Sequence, residues 1–141
     1  MRKLLLVLTF VLFAASAGVA AAEGPARMTV WKSPWCGCCA GWAEHMTSAG
    51  FSLDVKDTED LDAIKTEAGV PDELQSCHTA RVGRYVIEGH VPASDIERLL
   101  AEQPDAHGLA VPGMPSGSTK QCPAASQAAQ RPRRFAARAA A

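Results

Sequence analysis

Four of the five cysteines fall in two tight groups: Cys36, Cys38 and Cys39 in the run C-G-C-C, and Cys77 followed directly by His78. Cys122 stands apart near the C-terminus. A thiolate can attack a disulfide, close a structural bridge or bind a soft metal ion. Cys36 and Cys39 form a C-x-x-C pair at the expected start of a helix. There the free backbone amides and the positive end of the helix dipole favour the thiolate. That position explains reactivity without choosing a role. Cys38 is the discriminating residue. A redox dithiol needs two sulfurs, and a third between them promotes scrambling among neighbouring bridges. A metal centre gains from every added thiolate, and soft thiolates select copper(I), zinc or iron–sulfur centres over hard cations.

Three readings compete. Metal binding leads, because four thiols and an imidazole exceed what exchange or bridging needs. A thiol–disulfide or copper oxidoreductase is the alternative, with Cys36 as attacking thiolate and Cys39 as resolver. Structural disulfides are the third, since small exported domains often carry bridged cysteines. Within the metal reading, zinc ligands commonly stand two to four residues apart, whereas Cys38 and Cys39 are adjacent. Copper(I) accepts low coordination and bridging sulfur, so it is expected ahead of zinc.

Other side chains are weighed against plainer roles. His78 can ligate through one imidazole nitrogen or hydrogen-bond the strand backbone. Met114, held in Pro112-Gly113-Met114-Pro115, offers a thioether to copper(I), though loop methionines usually cover apolar surface. Trp35 and Trp42 flank the cysteines and are expected to shield them from water. Met46 reads as core, His45 and His107 as surface, and His90 as a loop histidine. The acidic run from Asp57 to Asp62 has the wrong glycine and spacing for a calcium loop.

These residues need elements to position them. Residues 28–32 and 51–55 alternate as strands. Between them, Cys39, Trp42, Ala43 and Met46 follow helical spacing up to Gly50. A second helix, capped by Asp57 or Thr58, carries Leu61, Ile64, Lys65 and Ala68 and stops at Gly69. Strands at 79–82 and 85–88 join through Gly83-Arg84. A third helix starts at the capping box Ser94-Asp95-Ile96-Glu97 and ends by Pro104. Residues 105–119 are expected to lack regular structure. The order β-α-β-α-β-β-α implies an α/β, thioredoxin-like fold: a mixed sheet with flanking helices. In such a chain Cys77-His78 enters the third strand beside the first helix's N-terminus, where a cis-proline normally stands. Four thiolates and an imidazole would then converge.

The chain has 141 residues and a net charge of −1. Residues 1–22 read as a secretory signal, with Arg2 and Lys3, an apolar run from Leu4 to Val19 and small residues to Ala22. The run weakens after Phe13, too soon for a stable membrane span once the signal is removed. The exported remainder holds 12 basic and 15 acidic residues. An acidic body gives no footprint for nucleic acid. Residues 23–119 are expected to form the metal-binding domain. Residues 120–141, rich in alanine and arginine with few large apolar side chains, are expected to be a disordered tail.

The segments KSPWCGCCAGWAEHM (32–46), GVPDELQSCHTARVGRYVIEGHVPASDIERLL (69–100) and GLAVPGMPSGS (108–118) together resemble the domain-of-unknown-function 411 family, which includes CopG-like copper-resistance proteins. The likeness implies a thioredoxin-like fold, a bacterial periplasmic setting, and copper ions and other copper-handling proteins as partners. Position by position, it implies Cys36, Cys38, Cys39 and Cys77 as cluster-forming thiolates, with several copper ions and copper redox chemistry. Members usually continue after GLAVPGMP into another short apolar strand. Here the Ala/Arg-rich tail takes its place, reading like a translation out of frame. The sheet is therefore expected to lack an edge strand.

Overall fold

Strand β1 (Arg27–Lys32) buries every second residue, Met28, Val30 and Lys32, as a strand with one face on the core must. It is the second strand of a six-stranded mixed sheet, ordered β2 (Ser52–Asp57), β1, β3 (His78–Val82), β4 (Tyr85–Glu88), β5 (Gly108–Ala110) and β6 (Arg133–Phe135). The structure, a computed structural model, describes residues 24–113 and 131–137. The expected signal at 1–22, Met114 and Cys122 lie outside the described residues. No helix among the described residues is long and apolar enough to cross a membrane.

Helix α1 (Gly37–Ser48) crosses from β1 to the parallel strand β2 (Ser52–Asp57) and buries Cys38, Cys39, Trp42, Ala43 and Met46. Helix α2 (Leu61–Glu67) starts later than expected. Asp57 is taken up by β2 and pairs with Lys32 at 2.6 Å, so Asp60 caps the helix by accepting from the Ala63 amide. Strands β3 (His78–Val82) and β4 (Tyr85–Glu88) form the expected hairpin, turning at Gly83 with φ 54°. Helix α3 (Ala93–Glu102) does not use the capping box. Pro92 is its N-cap, with its carbonyl accepting from the Asp95 and Ile96 amides, so Ser94 already lies inside the first turn.

Two strands depart from expectation. Gly108–Ala110 forms β5, parallel to β4, where a loop was anticipated. A Cβ at Gly108 would overlap the Val86 carbonyl oxygen, so only glycine lets β5 approach this closely. Arg133–Phe135 then adds β6 antiparallel to β5. The Ala/Arg-rich segment therefore supplies the edge strand that the sheet was expected to lack, and it buries Phe135.

The sheet is covered on both sides. Trp42 and Met46 of α1 and Ile96 and Leu99 of α3 pack with Met28, Val30 and Ile87 on one face. Ala68, Val70 and Leu74 cover Val86, Ala110 and Phe135 on the other. This is a mixed α/β fold with the expected element order, extended by β5 and β6.

Candidate metal centre

Cys36 is the N-cap of α1, and its Sγ accepts from the Cys39 amide at 3.3 Å. The two sulfurs are joined as a disulfide with Cα atoms 5.3 Å apart. Cys77 arrives from a distant stretch of chain, the segment that enters β3 beside β1. Its carbonyl oxygen lies 3.7 Å from Cys39 Sγ. The sulfurs of Cys36, Cys39 and Cys77 all lie within 4.8 Å of one another. Two stretches 38 residues apart thus meet at the head of one helix.

Cys38 does not join them. It sits on the buried face of α1 and belongs to neither group of close donor atoms among the described residues. The expected convergence of four thiolates is therefore a convergence of three. The helical turn accounts for this: residues 36 and 39 share one side of α1, and residue 38 is rotated away toward the core.

Cys77 also belongs to a second group, with His78 and His90, whose donor atoms again lie within 4.8 Å of one another. Cys77 Sγ is 3.4 Å from His78 Nδ1 and 3.5 Å from His90 Nδ1. His90 was expected to be an ordinary loop histidine. Instead it is fully buried, with Nε2 facing the Cys38 carbonyl at 3.4 Å. Its loop is folded back by Gly89, φ 72°, where a Cβ would collide with Ser76 and the Val111 carbonyl. His78 is fully buried as well, its ring 4.4 Å from that of Trp42, which donates to the Val91 carbonyl at 2.9 Å. Trp42 does screen the site. Trp35 does not, being 84% exposed.

Burial, helped by the neighbouring His90 and the Lys65 charge, holds the His78 imidazole well below its ordinary pKa. Burial lowers His90 too, opposed by its hydrogen bond to Cys38. Both rings are kept neutral, the form that binds metal. Burial also pushes the Cys77 thiol upward, against the lowering effects of the Ser76 hydroxyl and Lys65.

A buried ionic network underlies the Cys77 segment. Lys65 Nζ lies 2.6 Å from Glu88 Oε1 and donates to Thr79 Oγ1 at 3.0 Å. Thr79 in turn donates to Glu88 Oε2 at 2.7 Å. Glu88 Oε1 also accepts the Ser76 amide at 2.6 Å, which fixes the peptide preceding Cys77. Ser76 Oγ donates to the Gly113 carbonyl at 2.5 Å, so the loop after β5 is tied to the same segment. Every charged atom here is paired, as burial at this depth requires. His107, expected at the surface, is instead partly buried, with Nε2 2.7 Å from the Ala68 carbonyl.

A family model described as "Protein of unknown function, DUF411" matches residues 74–119, which hold Cys77, His78 and His90. Two solved structures of the copper resistance protein CopG, forms 2 and 1, are each 40% identical to the chain. They align with TM-scores of 0.64 and 0.63, covering 71% of this chain and 80% and 79% of theirs. No curated protein matches the chain.

Proposed function

The chain belongs to the DUF411 family of CopG-like copper-resistance proteins, and from that premise we propose that it binds copper(I) through Cys36, Cys39 and Cys77 in copper resistance or homeostasis. The observation that carries this reading is the approach of the three sulfurs to within 4.8 Å of one another. Three soft donors at that separation suit copper(I) better than zinc, whose tetrahedral sites take four protein ligands when structural. Copper here is cargo, and its ligands are the reduced thiolates, so the Cys36–Cys39 bond must open before the set is complete. His78 stands beside Cys77 as a further donor. Cys38 would enter only in a cluster of more than one ion, and Met114 is kept as a candidate on sequence grounds. A thioredoxin-like arrangement, export through the 1–22 signal and exchange of copper with other periplasmic proteins belong to the same proposal.

Copper bound to the reduced chain, counted by elemental analysis against titrated thiols, tests it. More than one copper per chain, lost in Cys38→Ser, marks a cluster; a single copper that survives Cys38→Ser marks a three-sulfur site. No copper retained sinks the reading. The second reading, a thiol–disulfide oxidoreductase, is favoured by the closed Cys36–Cys39 bond. Insulin reduction that persists in Cys38→Ser and needs both Cys36 and Cys39 would support it.

A further inference from the structure

Cys77 is shared between two donor sets, and the Cys36–Cys39 bond removes two members of only one of them. With that bond closed, the sulfur set is reduced to a single thiol. The set made by Cys77, His78 and His90 is untouched. We infer that Cys77, His78 and His90 form a second metal site, which takes a divalent ion of borderline softness when the Cys36–Cys39 disulfide is closed.

Two observations carry the inference. The first is spacing. Bonds of about 2.3 Å to sulfur and about 2.05 Å to nitrogen, set at a tetrahedral angle, place sulfur and nitrogen about 3.5 Å apart. Cys77 Sγ lies 3.4 Å and 3.5 Å from the two Nδ1 atoms. The second is the orientation of His90. A carbonyl only accepts, so the Cys38 oxygen 3.4 Å from Nε2 calls for the proton on that nitrogen. Nδ1 then turns its lone pair to Cys77, the arrangement by which an outer hydrogen bond fixes a metal-binding histidine.

The donor chemistry selects the ion. Two imidazoles and one thiolate suit zinc(II) or copper(II), whereas three thiolates suit copper(I). Cys77 is only partly buried, so an ion can approach from its side while both rings stay enclosed. Reduction of the Cys36–Cys39 bond by a dithiol, which delivers two electrons and two protons and closes to its own disulfide, restores the sulfur set. The redox state of one bond thus decides which set is complete.

The test uses the full exported chain with Cys36–Cys39 oxidised, verified by thiol counting, and cobalt(II) as probe. The expected result is a single tetrahedral cobalt per chain, displaced by zinc(II), with one sulfur and two imidazole nitrogens in its X-ray absorption spectrum. Binding is lost in Cys77→Ser and His90→Gln and retained in His45→Ala, which alters an exposed histidine of α1. The absorption spectrum is read on the unaltered chain, so it decides the matter even where a variant fails to fold. No binding by the oxidised chain, a cobalt without sulfur, or binding that survives His90→Gln overturns the inference. Copper(I) binding is measured separately on the reduced chain. Its failure would sink the earlier reading and leave this one standing.

Discussion

Cys77 Sγ lies 3.5 Å from Nδ1 of His90, a residue 13 positions further along the chain. The hairpin β3–β4 makes this contact. Gly89 donates its amide to the His78 carbonyl and turns the chain, so the residue after it returns to the start of β3. Cys77 is thereby fixed twice, by its contact with His90 and, through the preceding peptide, by the Glu88–Ser76 hydrogen bond.

The support beneath Cys77 is a pair of buried charges, and removing one leaves the other uncompensated. Lys65→Met is expected to destabilise the fold by about 3–5 kcal/mol. The double variant Lys65→Met, Glu88→Met should recover much of that loss. Urea denaturation monitored by Trp fluorescence measures both. A Lys65→Met cost below about 1 kcal/mol would mean that the pair is not sealed from water.

Acid should destabilise the metal-free chain before its carboxylates protonate. The unfolded chain takes up a proton on His78 near the ordinary value of 6.5, whereas the buried imidazole resists until well below it. The unfolded state therefore binds more protons in this window, and stability falls as pH drops below 6.5 toward the folded value. His90 adds a contribution of the same sign. The thermal midpoint is expected to fall between about pH 7 and about pH 5, and to fall less in His78→Gln. A midpoint flat across that window in the unaltered chain would contradict the burial of His78.

The edge strand β6 makes its own prediction. Phe135 is 7% exposed, packs with Val86 and Ala110, and meets the His107 ring edge-on at 5.6 Å. Phe135→Ala should cost about 3 kcal/mol, the low end for a buried phenylalanine. Thermal or urea unfolding reads it. A change below about 0.5 kcal/mol, ordinary for a surface site, would show that the segment does not dock.

The sequence made the sulfur pairing legible because cysteines are few and their order against strand and helix leaves few places to meet. Cys36 and Cys39 share a helix side by spacing alone, and Cys77 enters the neighbouring strand. His90 was not legible, since its burial depends on the backbone turn at Gly89 and on the distant Cys38 carbonyl. Lys65 occupies a position in the inward-facing stripe of α2, and only the partner Glu88, 23 residues away, shows why a charge sits there. The capping box at Ser94 was a true local pattern overridden by Pro92, whose carbonyl already closes the first turn. Strands β5 and β6 are three residues each, too short to show a period. They exist because Gly108 allows close pairing and Phe135 has a core to enter. Cys38 stands apart from the other sulfurs for a simpler reason: adjacency in sequence is about a 100° rotation on a helix.

In the proposed copper site, sulfurs from α1 and from the entrance to β3 hold one soft ion between them. Copper(I) affinity of the reduced chain, measured against a competing chelator for the unaltered protein, Cys36→Ser and Cys77→Ser, tests it most directly. Cys77→Ser is expected to weaken copper(I) binding as severely as Cys36→Ser does. Unchanged affinity in Cys77→Ser, beside a clear loss in Cys36→Ser, would contradict it.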